Sequence, residues 1–86
     1  MEKTLKILNE EGMHARPAGA FVKVASEFKS AIEIKANGMT KNGKSIMGIM
    51  SLGLAYDSEI TLVANGDDAE AALNKLEALV NNKFQL

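Results

Sequence analysis

The chain has 86 residues with 10 Lys and Arg against 11 Asp and Glu, and the bases are scattered, so neither nucleic acid nor a membrane is an expected partner. No cysteine is present and the single histidine has no companions at ligand spacing, which excludes a disulfide framework and leaves neither a metal nor a cofactor to expect. This length suits one domain over residues 1–86, too small for an enzyme with its own substrate cleft, and the polar start Met1-Glu2-Lys3-Thr4 without any membrane-length apolar run points to a cytoplasmic protein.

Thr4 to Leu8 reads as a first strand with Leu5 and Ile7 on one face, followed by a polar loop from Asn9 to Gly12. Gly12-Met13-His14-Ala15-Arg16-Pro17-Ala18 then leads into a helix from Ala15 to about Phe28, where Ala18, Phe21, Val22, Ala25 and Phe28 recur at helical spacing. His14 therefore stands at a helix start, where unpaired N–H groups and the backbone dipole attract anions. A lone histidine is more often a cap or a surface residue than a reactive one. The neighbours weigh against that here: Arg16 is a permanent cation with planar donors, and Pro17 is tolerated in a first turn. Pro17 also disfavours helical geometry in the residue before it, so Arg16 is expected to stand apart from the regular helix.

Ala31 to Ala36 alternates, with Ile32 and Ile34 opposite Glu33 and Lys35, and Asn37-Gly38 is a two-residue hairpin signal that predicts a third strand antiparallel to the second. Ser45 is placed as the N-cap of a short helix from Ile46 to about Leu52, ended by Gly53. Glu59 to Asn65 forms a fourth strand. Asp67 with Glu70 three residues on resembles a capping box, opening a last helix whose buried stripe is Ala72, Leu73, Leu76, Leu79 and Val80. The order β-α-β-β-α-β-α predicts an α+β open-faced two-layer sandwich, a four-stranded antiparallel sheet covered on one face by three helices.

Two features of the middle segment bear on function. Gly38-Met39-Thr40-Lys41-Asn42-Gly43-Lys44-Ser45 fits the phosphate-binding loop pattern G-x-x-x-x-G-K-[ST], but the hairpin uses the same residues, and such a loop works on a mostly parallel sheet with a separate Asp for Mg²⁺, for which the chain has neither the length nor a convincing second acidic strand. A nucleotide-binding module is thus the minor alternative. The short helix is also too apolar for its length: with Ile49 and Leu52 packed inward, Ile46, Met47 and Met50 form an outward patch, which Met13 is expected to join. Flexible thioethers suit a surface that must fit several partners. A phosphate on Ser45 would gain from the dipole and free N–H groups of the helix it caps.

The loop around His14, the segment Lys44-Ser45-Ile46-Met47-Gly48-Ile49-Met50-Ser51-Leu52-Gly53, and Glu59-Ile60-Thr61-Leu62 with Gly66-Asp67-Asp68 together resemble the HPr family. These are the histidine-containing phosphocarriers of the bacterial phosphoenolpyruvate-dependent sugar phosphotransferase system, and the second segment is similar to the low-GC Gram-positive type. The resemblance spans nearly the whole chain. It implies a carrier that is not an enzyme, with His14 accepting a phosphoryl group on Nδ1 from phosphorylated enzyme I and passing it to EIIA domains, while Arg16 steadies the phosphoryl oxygens. It further implies phosphorylation of Ser45 by HPr kinase/phosphorylase, binding of the product to a catabolite-control repressor, and docking through Met13, Pro17, Ile46, Met47 and Met50. A monomer is expected. A regulatory protein working mainly through Ser45 is the alternative within the same family.

Overall fold

A computed structural model describes residues 1–85, in which β1 (Glu2–Lys6), α1 (Ala15–Ala25), β2 (Ala31–Ala36), β3 (Met39–Asn42), α2 (Ile46–Met50), β4 (Glu59–Asn65) and α3 (Ala69–Asn81) follow one another. The four strands form one antiparallel sheet in the order β1-β4-β2-β3. Alternation decides its faces. Ile32, Ile34, Ile60, Leu62 and Ala64 are buried beneath the helices, whereas Glu33, Lys35 and Thr61 point to the open face, where Thr4 and Thr61 pair their hydroxyls at 3.1 Å. The α+β open-faced sandwich expected from the element order is the observed fold.

The hairpin between β2 and β3 turns at Asn37 and Gly38, with φ of 54° and 75°, the left-handed pair that a two-residue turn of matching twist requires. The stripe of α3 packs as expected: Ala72, Leu73, Leu76, Leu79 and Val80 are all buried. On α1 the buried set is Pro17, Ala18, Ala20, Phe21, Val24 and Ala25, so Ala20 and Val24 replace Val22 and Phe28, which are only half-buried.

Element ends differ from the sequence pattern for identifiable reasons. Strand β1 begins two residues earlier and stops at Lys6, because β4 offers backbone partners from Glu59 to Val63, and Val63 reaches back to Glu2 whatever the polarity of its side chain. Helix α1 ends at Ala25, where the N–H groups of Glu27 and Phe28 turn to the carbonyls of Val24 and Ala25 in tighter three-residue bonds. The same tightening ends α2 at Met50, before Gly53. Asp67 and Glu70 form no capping box. Asp68 is the N-cap residue of α3, and its carboxylate is drawn away to Lys29 and Ser30. Among the described residues no helix is long and apolar enough to cross a membrane.

Candidate functional site

His14 is the N-cap residue of α1, in extended conformation (φ −118°, ψ −161°), and its carbonyl accepts the N–H of Ala18 at 2.9 Å. Its side chain makes no capping hydrogen bond and is exposed. Among the described residues the imidazole has no hydrogen-bond partner, and it stands at the positive end of an eleven-residue helix. The N–H groups of Ala15 and Arg16 have no helical carbonyl to reach, and Pro17 has no N–H to leave unpaired.

The loop before His14 is fixed from behind. Met13 N–H donates to the Leu54 carbonyl at 2.9 Å, Gly12 N–H to the Asn9 carbonyl at 3.1 Å, and the buried Asn9 Nδ2 to the Gly12 carbonyl at 2.7 Å. Asn9 belongs to a stretch read from sequence as a polar loop, yet only 2% of it is exposed, because its amide closes that loop on itself.

Arg16 lies inside α1, so Pro17 does not hold it apart: the first helical turn accommodates both. Its guanidinium spans two acceptors, with Nη2 at 3.2 Å from Glu11 Oε1 and Nη1 at 3.4 Å from the Phe84 carbonyl. The Glu11 carboxyl is held below its ordinary value by a hydrogen bond from its own backbone N–H and, against some desolvation, by the Arg16 guanidinium. Neither partner was found from the sequence. Glu11 offered only an opposite charge five residues away through a loop. The Phe84 carbonyl arrives because Lys83 and Phe84 both take left-handed φ, of 56° and 63°, and fold the chain end back while Phe84 buries its ring.

Ser45 caps α2 as expected: its Oγ accepts the Gly48 N–H at 3.0 Å, a bond of a kind that contributes about 0.5–2 kcal/mol. Ile49 and Leu52 are buried, and Ile46, Met47 and Met50 are exposed, Met47 to 78%. Met13 does not join that patch. It is 5% exposed, in the core beneath the loop it belongs to, and Pro17 is likewise buried on the inner side of α1, so neither side chain is available to a contact surface.

The match to a phosphate-binding loop does not survive the backbone. Met39 to Asn42 are paired with β2, Gly43 N–H donates to the Ile32 carbonyl at 2.7 Å, Lys44 N–H to Asn42 Oδ1 at 2.8 Å and Ser45 N–H to the Asn42 carbonyl at 3.1 Å. The Lys44 ammonium is held by the Phe28 carbonyl at 2.7 Å. The N–H groups of Gly43, Lys44 and Ser45 and the Lys44 ammonium, which such a loop would aim at a nucleotide, are spent on the fold.

Residues 1–82 match the family described as the PTS HPr component phosphorylation site. Over 83 residues the chain is 45% identical to the phosphocarrier protein HPr of Treponema pallidum (strain Nichols), covering 96% of this chain and 94% of that one. Among solved structures it resembles HPr-C-His from Thermoanaerobacter tengcongensis with a TM-score of 0.94 at 45% identity, over 100% of this chain and 99% of that one. The HPr dimer from the same organism aligns at 0.80 with the same identity and the same coverage. With a free histidine at a helix start, a neighbouring arginine and these likenesses over nearly the full length, the chain belongs to the HPr family, the phosphocarrier proteins of the phosphotransferase system, and is not an enzyme.

Proposed function

We propose that His14 takes a phosphoryl group on Nδ1 from phosphorylated enzyme I and delivers it to the EIIA domains of sugar permeases. In the first transfer the Nδ1 lone pair attacks phosphorus while the bond from the donor breaks and its electron pair stays with the donor. The second transfer is the same exchange with His14 as the leaving group. The uncommitted, exposed imidazole at the start of α1 carries this reading, because a ring already used as a cap would have to give up a hydrogen bond before reacting. Developing charge on the phosphoryl oxygens is met by the open N–H groups of Ala15 and Arg16 and by the Arg16 guanidinium. This is moderate stabilisation, which suits a group that must leave again.

Ser45 is the regulatory position, phosphorylated by HPr kinase/phosphorylase to a form that binds a catabolite-control repressor. Ile46, Met47 and Met50, exposed beside it, form the docking patch shared by the partners. A phosphate there adds nearly two negative charges beside the face that enzyme I approaches, which slows phosphorylation of His14. The protein acts in the cytoplasm as a monomer. A purely regulatory role through Ser45 would leave the free imidazole and Arg16 without a use.

The test is incubation with phosphoenolpyruvate and enzyme I. The wild type gains one acid-labile phosphate and His14→Ala gains none; equal labelling of the two proteins ends the carrier reading.

A further inference from the structure

Arg16 is the only arginine in the chain, and in the free protein both sides of its guanidinium fork are occupied. Phe84 contributes a neutral carbonyl from a buried residue, whereas Glu11 contributes a full negative charge from the loop that leads to His14. The ion pair is open to water, with 54% of the Arg16 side chain and 47% of the Glu11 side chain exposed, so its partners can exchange. A phosphoryl group on His14, two residues from Arg16 and three from Glu11, attracts the guanidinium and repels the carboxylate.

We propose that Glu11 is a positioning residue that competes with the His14 phosphoryl group for Arg16. In the free carrier it parks the guanidinium at the mouth of the site. In the loaded carrier breaking the Glu11–Arg16 pair offsets part of what Arg16 contributes to the phosphoryl group, and this keeps the group transferable. The inference rests on His14 as the carrier residue. Exposed ion pairs of this kind change an equilibrium by about two- to five-fold, which is the size of effect to look for.

The experiment is a partition between two carriers. Wild-type and Glu11→Gln proteins are mixed in equal amounts with catalytic enzyme I and limiting phosphoenolpyruvate and left to equilibrium. Each exchange moves a phosphoryl group from one imidazole nitrogen to another, so one nitrogen–phosphorus bond breaks for each that forms. With the wild type uniformly labelled with 15N, so that two chains of nearly equal mass are resolved, intact mass then reads the phosphorylated fraction of each. The phosphoryl group is expected to favour Glu11→Gln by about two- to five-fold. Glu10→Gln, which removes the neighbouring exposed carboxylate, is expected to share evenly with the wild type. In an Arg16→Met background the preference created by Glu11→Gln is expected to vanish, as a double-mutant cycle requires when the effect runs through Arg16. Even sharing between wild type and Glu11→Gln overturns the competition, as does a preference that persists unchanged in the Arg16→Met background or is matched by Glu10→Gln, since those outcomes describe general charge repulsion. Chains that accept no phosphoryl group at all overturn the carrier reading along with it.

Discussion

Gly12 decides where His14 stands. Its φ of +71° is in the left-handed region, and a Cβ there would lie 2.6 Å from the Leu54 carbonyl oxygen and 2.9 Å from Ala55 Cα, both backbone atoms that cannot step aside. Gly12→Ala is therefore expected to cost at least about 2 kcal/mol, from the conformational penalty and the collision together. The same change breaks the contact that aligns Met13 with Leu54, so phosphorylation of His14 by enzyme I should slow as well. Urea denaturation with an unchanged midpoint would sink this account. At this scale the sequence was legible where placement is local: the helix start at His14 and the Ser45 cap follow from the short segments that contain them. Glu11, the Phe84 carbonyl and the burial of Met13 were not, because each depends on a loop path or a distant chain end that spacing does not encode.

Asp68 opens α3 without capping it, and the reason joins two elements. Its Oδ2 accepts the Lys29 N–H at 2.9 Å and its Oδ1 the Ser30 N–H at 3.0 Å, with the Ser30 hydroxyl donating to the same oxygen. The carboxylate thus anchors the approach to β2 onto the start of α3. The Ser30 hydroxyl first, and then the backbone N–H of Lys29, hold its carboxyl below the ordinary 3.8. A carboxyl depressed in the folded state stabilises the fold wherever the unfolded chain is ionised too. That contribution fades as pH falls from the ordinary value through the lower folded one. Asp68→Asn is accordingly expected to be less stable than the wild type at neutral pH, with the gap narrowing as the solution is acidified below 3.8. Urea midpoints at several pH values measure it, and a gap constant with pH would show that the charge of Asp68 contributes nothing. From the sequence, Asp67 and Glu70 looked like a capping box, but the helix starts one residue later, after Asp68, and Ser30 from 38 residues away takes the carboxylate of the residue that does stand at the cap.

For the whole molecule, the α+β class, the seven elements and the covered face were legible in the alternation of β2 and β4 and the stripe of α3. The strand order was not, since β4 comes to lie between β1 and β2 through pairings that only the assembled chain specifies. That order determines which strands are left at the edges, and so bears on assembly. The edges are β1 and β3. On β1, Lys3 pairs with Glu77 at 2.7 Å and Lys6 with Asp57 at 3.6 Å; β3 is only four residues long and carries Lys41. Short, charged edges discourage pairing with a second copy. Exchange of β1 between copies would require opening the loop that follows it, which the Asn9–Gly12 bonds of 2.7 and 3.1 Å close. Light scattering across a concentration series is therefore expected to give the 9.2 kDa mass of one chain throughout. A dimer mass at low concentration would mean that the loop opens or an edge pairs despite its lysines, and weakening the closure with Asn9→Ala would separate the two, since only exchange through the loop should increase.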